Sequence, residues 1–171
     1  MNKVVSDNFQ KNYKYKLVEK DGKNFDSEFK PDLTPKEMLN LGVFGGAYFV
    51  GVDGLVPTDL PKDWFDGIEL SPDGEKHGEL NYFKTRASQP LSVWQQKGWI
   101  DSRDPHGWFQ WYCRYYIGRR IAEEDRRQIK RWRAMSRHIA QVRKNCREGD
   151  MYCRRRQRQA LLHWAYDSRE M

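Results

Sequence analysis

Apolar residues in the last third of the chain recur at helical spacing in three successive segments. The first, Trp108 to Arg120, carries Trp108, Phe109, Trp111, Tyr112, Tyr115, Tyr116 and Ile117 over most of its circumference. A helix apolar nearly all round belongs in the middle of a core. One polar stripe remains on it: Gln110, Arg114 and Gly118. The second segment, Glu123 to Asn145, reads as one amphipathic helix. Ile121, Trp132, Met135, Ile139, Val142 and Cys146 fall on one side, and Arg126, Lys130, Arg133, Arg137, Gln141 and Lys144 on the other. The third runs from Asp150, its expected N-cap, to Ser168. Met151, Leu161, Leu162 and Ala165 mark its core side, with Arg154 and Arg158 between them. Tyr152, Arg155, Arg156, Gln159, His163 and Tyr166 form a neighbouring face.

The first two thirds are less regular. Thr34-Pro35-Lys36-Glu37 is a helix start, with a capping threonine, proline at the first helical position and glutamate three residues on. Gly42 ends that short helix. The apolar run Val43–Val50 contains Gly45-Gly46, which implies a bulge or a close backbone approach. Residues 51–80 read as loops, and residues 81–100 as short helices interrupted at Pro90 and Gly98. In residues 1–33, Tyr13, Tyr15 and Leu17 alternate with lysines and Asp21-Gly22 follows as a turn. That pattern fits either an edge hairpin or an arm that orders on a partner. The expected fold is mainly α: a compact helical domain over 34–171 around a central aromatic helix, with residues 1–33 as a small β-hairpin or extended arm.

Composition supports a packed core. The 7 Trp, 9 Tyr and 8 Phe each bring about 150–250 Å² of buriable surface. No stretch has the length and apolarity of a membrane span, and the N-terminus lacks the apolar core of a signal peptide. The expectation is a soluble, intracellular protein. Charge is unevenly placed. Residues 103–171 hold 18 Lys+Arg against 8 Asp+Glu, whereas residues 1–102 hold 13 against 16. Only Arg86 is an arginine before Arg103, and only Lys130 and Lys144 are lysines after it. Arginine is the residue that pairs with phosphate in a fork and stacks on rings.

Cys113 lies in the aromatic segment and reads as a buried small hydrophobe. Cys146 and Cys153 flank Glu148-Gly149-Asp150 and are expected to be reduced thiols. With His138 and His163 they match no common zinc spacing, so neither metal nor cofactor is implied.

The run Gly107-Trp108-Phe109-Gln110-Trp111-Tyr112-Cys113-Arg114-Tyr115-Tyr116-Ile117-Gly118-Arg119-Arg120 resembles the signature of a widespread family of small basic proteins. The resemblance continues through Asp125–Trp132 and Arg156–Ala165, and takes in Gly42–Gly46. It implies a self-contained domain. It brings no activity, cofactor or catalytic residue with it.

Three function classes follow from these residues. The leading expectation is nucleic-acid binding, DNA ahead of RNA, through Arg126, Lys130, Arg133, Arg137, Lys144, Arg155, Arg156 and Gln159. The second is an enzyme acting on nucleic acid, a base-excising glycosylase or a nuclease. It would use Glu124, Asp125 or His163 (with Asp104 as a further candidate) beside an anion pocket of Gln110, Arg114, Gln128, Arg154 and Arg158. The third is an interaction module whose arginines meet an acidic partner protein. No membrane partner is expected.

Overall fold

Thr34 opens the first helix as its sequence requires. In the computed structural model, which describes residues 1–171, α1 spans Pro35–Asn40. Thr34 Oγ1 accepts from the Glu37 amide at 3.2 Å, and Glu37 Oε2 accepts from the Thr34 amide at 2.7 Å. This reciprocal pair is the capping box. Gly42 follows the helix at φ +64°. The run Val43–Val50 then forms successive turns rather than a strand. Gly46 sits against the Glu69 and Leu70 backbone, where any Cβ would collide, so the glycine pair marks a close approach.

A short helix, α2, covers Leu91–Gln96, with Pro90 at its N-cap and Gly98 just past its end. The central helix α3 spans Trp108–Tyr116 and is buried from Trp108 through Tyr115. Phe29, from the N-terminal region, inserts among Trp108, Trp111, Tyr112, Tyr115 and Trp132 with ring centroids 4.9–6.3 Å apart. All five pairs are edge-to-face, a favoured geometry for rings. Gly118 ends the segment at φ +111° and receives the chain directly: its carbonyl accepts from Val18 at 2.9 Å and Glu19 at 3.2 Å. A Cβ there would strike the Glu19 carbonyl. Gly118 therefore docks the N-terminal region instead of flooring an anion pocket.

The second amphipathic segment is two helices, α4 over Ala122–Ala134 and α5 over Ser136–Asn145. Neither glycine nor proline marks the break. The Trp132 carbonyl, which a continuous helix would offer to residue 136, instead accepts from Met135 N at 3.1 Å and from the Tyr166 hydroxyl at 2.7 Å. Tyr166 also stacks on the Trp132 ring with 4.9 Å between centroids. A distant side chain thus takes the place of the helical donor.

The third segment starts later than its pattern implies. Helix α6 spans Arg155–His163. Cys146 and Cys153 are not free thiols but a disulfide, with Cα atoms 5.7 Å apart, and it closes the turn between α5 and α6. Asp150 caps that turn, accepting from the amides of Tyr152 and Cys153, and Arg154 adopts left-handed geometry at φ +55°. Residues 150–154 are therefore outside the helix, and Arg154 is exposed rather than inward.

The N-terminus forms a hairpin. Strand β1 (Asn2–Val5) pairs antiparallel with β2 (Tyr13–Lys16), in the register Lys3 to Tyr15 and Val5 to Tyr13. Its turn lies within residues 6–12, not at Asp21-Gly22. Val5 and Tyr15 face inward. Gln10, in the turn, donates to the carbonyls of Ser102 and Arg103.

One buried charge network joins these parts. Arg114 of α3 donates to Asp59 at 2.9 Å, to Asp104 at 3.1 Å and to the Gln10 side chain at 3.0 Å. Arg119 meets the other Asp104 oxygen at 2.5 Å and Tyr13 at 3.1 Å, and Tyr15 donates to Asp59 at 2.7 Å. All four charged side chains are at most 2% exposed. Burial pulls the Arg114 pKa down, but Asp59 and Asp104 outweigh it and the group stays charged. Replacing one partner of a buried pair strands its mate in low dielectric. The variant Asp104→Asn should accordingly lose on the order of 3–5 kcal/mol in urea denaturation. Thr34→Ala, which removes one exposed cap, should lose only about 1 kcal/mol.

Candidate functional site

Helices α4 to α6 carry a band of unmatched positive charge. Arg126, Lys130, Arg137, Lys144, Arg155 and Arg156 are all exposed, as are Arg143, Arg147 and Arg154. None of these nine has a carboxylate within ion-pair distance, whereas Arg133 pairs with Glu28 at 2.9 Å. The break at Met135 means that the band passes over two helices rather than along one straight face. Gln159 does not belong to it. Its amide is fully buried, accepting from Phe83 N and donating to the Val43 carbonyl and the His163 ring.

The five residues of the expected anion pocket are not together. Arg114 is sealed in the network described above. Arg158 is buried elsewhere and donates to the carbonyls of Cys153 and Ser168. Arg154 reaches only Gln157. Gln110 accepts from the His106 amide, and Gln128 bridges Glu124 and Arg131. The candidate carboxylates are engaged as well. Glu124 accepts from Arg127 at 2.8 and 2.7 Å and from Gln128 at 2.9 Å. Asp125 accepts from the Trp111 indole and from Ile121 N, both at 2.8 Å, closing the start of α4. Of the three candidate catalytic residues, only His163 lines a cavity.

That cavity has a volume of about 450 Å³ and is lined largely by rings. It falls within the range of roughly 300–1,000 Å³ typical of ligand sites. Its walls come from α2, α3, α4 and α6 and from the loops holding Phe9, Phe44 to Val50 and Glu75 to Pro90. Phe44, Tyr48, Trp94, Trp108, Phe109 and Trp164 supply rings. Lys76, Arg86 and Arg131 supply positive charge against a single carboxylate, Glu75. The site adjoins the basic band, because Arg156 of α6 donates to the carbonyl of Arg86 on the cavity wall at 3.1 Å.

Two of the cations are held there without a counter-ion. Lys76 makes no ion pair, and its ammonium lies 5.5 Å from the Tyr48 ring centroid and 6.0 Å from that of Trp94. The residue as a whole remains exposed, but desolvation at the ammonium lowers its pKa. Arg131 lies over Trp164 at 5.2 Å and Trp99 at 5.8 Å, and donates to the carbonyl of Trp99 and the side chain of Gln128. Desolvation, with Arg127 adding to it, brings Arg131 down to about 10. Arg131 stays protonated at neutral pH, at a cost that an anion would relieve.

Three histidines line the cavity, His77, His106 and His163, and the last two are neutral. Desolvation pushes His106 and His163 down to about 4, and the charge on Lys76 acts on both in the same direction. Because Gln159 Oε1 accepts from Phe83, its amide nitrogen must donate to His163 Nε2 at 2.9 Å. That fixes the proton of His163 on Nδ1. His106 packs against Phe9 with centroids 4.3 Å apart, and its Nε2 is buried with no partner.

Compared with known proteins, the chain matches no family model, no curated protein and no solved structure. Of the cavity residues, His163 and the α3 rings Trp108 and Phe109 stand out in the sequence, and the others carry no marked signal. His106 sits alone between Pro105 and Gly107, and Lys76 lies in a Gly- and Asp-rich loop where lysine is ordinary. The visible signal was an aromatic content too high for one helix to absorb.

The neutral histidines make stability depend on pH. Between about pH 6.5 and about pH 4 the unfolded chain takes up protons that folded His106 and His163 refuse, so stability falls as pH drops. His106 alone contributes on the order of 2–3 kcal/mol across that window. His77 acts in the opposite sense, since Asp73 raises its pKa, but the imidazole is solvated and its share is small. The urea midpoint should decline from pH 7 to pH 4.5, and the decline should shrink in His106→Phe.

Proposed function

We propose that the protein binds nucleic acid through backbone phosphates, using the exposed arginines and lysines of α4 to α6. The observation that carries this reading is the set of nine exposed cations without carboxylate partners, seven on α4, α5 and α6 and two (Arg147 and Arg154) in the turn between α5 and α6. A face that served only solubility would mix both signs, as the surface around Lys36–Asp63 and Arg169–Asp167 does. Unpaired arginines keep their donors available for phosphate oxygens and release counter-ions when they bind. DNA is the first partner to test, with RNA beside it. Binding is favoured over strand chemistry because Glu124 and Asp125 are occupied in bonds that hold α4 in place. The rival reading, an acidic protein partner, uses the same cations and is separated by capture from nuclease-treated lysate.

Fluorescence polarisation with labelled single- and double-stranded oligonucleotides tests the proposal. Affinity should fall steeply as salt rises. Each phosphate contact removed should flatten the slope of log K against log salt by about 0.7–0.9. The combined variant Lys130→Ala/Arg137→Ala/Arg155→Ala should therefore lose at least about tenfold in affinity with similar losses for all sequences. Absence of binding at low salt would refute the reading, as would a variant indistinguishable from wild type.

A further inference from the structure

We infer that the aromatic cavity receives a single unstacked nucleotide, its base against the rings and its phosphate against Lys76 and Arg131. The inference deepens the nucleic-acid reading and rests on it for the source of the ligand. Three observations point to this chemistry. The ring-lined wall (Phe44, Tyr48, Trp94, Trp108, Phe109 and Trp164) offers π faces to a planar group. Lys76 and Arg131 lie beside rings and make no ion pair, and burial disfavours their charged forms, which suits an anionic guest. The same charges exclude a quaternary ammonium or methylated lysine, the usual guest of an aromatic cage. His106 lines the same cavity, and its buried Nε2 has no hydrogen-bond partner within the protein.

Position ties the cavity to a strand. Arg86 is on its wall, and Arg156, part of the basic band, bonds to the Arg86 carbonyl. A strand held along α6 would pass the mouth of the cavity, and one base leaving the stack would fall among the rings. A base within a duplex reaches such a site only by leaving its stack and its partner. The cavity would thus select unpaired nucleotides, either within a strand or free as mononucleotides, and these two sources can be told apart.

The fluorescent base 2-aminopurine reports both. A short single strand carrying one central 2-aminopurine, the same strand in duplex, and 2-aminopurine riboside 5′-monophosphate with its parent nucleoside are titrated with the full chain. Emission reports the base and polarisation of an end label reports the strand. Emission should change on binding of the single strand and stay unchanged in the duplex. The monophosphate should bind at least about tenfold more tightly than the nucleoside. Lys76→Gln, at an exposed residue with no ion pair, should weaken the emission-reported affinity by about tenfold while polarisation of the strand changes little. Trp94→Leu should weaken the emission response independently. The Lys130→Ala/Arg137→Ala variant should weaken strand binding and leave the monophosphate unaffected.

Failures of the two ideas separate. Strand binding by polarisation, with emission unmoved by strand and by millimolar monophosphate, would overturn the cavity assignment and leave phosphate-backbone binding intact. Monophosphate binding that Lys76→Gln abolishes, with no strand bound at low salt, would sustain the cavity as a free-nucleotide site and overturn the nucleic-acid reading. No response in either channel would overturn both.

Discussion

The buried pairing of Arg114 and Arg119 with Asp59 and Asp104 is the interaction on which the rest of the structure depends. Its members come from regions that share no helix: the hairpin strand and turn, the loop after Val52, the turn before α3, α3 itself and the segment beyond it. Apolar packing alone is tolerant of small slips, because many arrangements of rings bury similar area. A charge in low dielectric is not tolerant, since a misplaced partner costs several kcal/mol. The network therefore imposes one register on parts that the aromatic core would otherwise hold loosely.

The same network shapes the candidate site. Gln10 accepts from Arg114 and donates to the carbonyls of Ser102 and Arg103, which sets the neighbouring Phe9 on the cavity wall. Asp104 binds both arginines, and His106 follows two residues later against Phe9 and Tyr48. One side of the cavity is thus built from segments whose positions are set by buried charge. The opposite side comes from α6, where Gln159 orients His163 and ties it to the Val43 carbonyl. Hydrogen-bonded polar groups hold both walls, with the rings between them.

The arginines divide by environment. Arg114 and Arg119 are buried with carboxylates and serve the fold. Arg158 is buried against carbonyls. Arg131 is partly desolvated beside a cavity without a counter-ion, and the α4 to α6 set is solvated and unpaired. Only the last two groups have free capacity for an external anion. Charge count along the chain does not distinguish these roles, because each depends on where the nearest carboxylate lies in space. Asp59 is 55 residues from Arg114, and Gln10 is 104 away.

Local chemistry was legible where the deciding partners are close in sequence. The Thr34 capping box, the Gly42 stop, the burial of the Trp108–Tyr115 helix and the exposure of Arg126, Lys130 and Arg137 all follow from i to i+3 bonding or helical periodicity. Readings that needed a distant partner failed. Tyr166 splits the long amphipathic segment at Met135, the Cys146–Cys153 disulfide delays the last helix, and Arg114, Arg154 and Arg158 part company. The cavity is the extreme case, since its rings and cations come from four helices and several loops with no common spacing. By itself the sequence determined a helical, aromatic-cored, arginine-rich chain, because periodicity and side-chain type are local properties. Which charges are neutralised and which stay unpaired was decided only by the tertiary structure, because electrostatic pairing depends on distance through space and on exclusion of water.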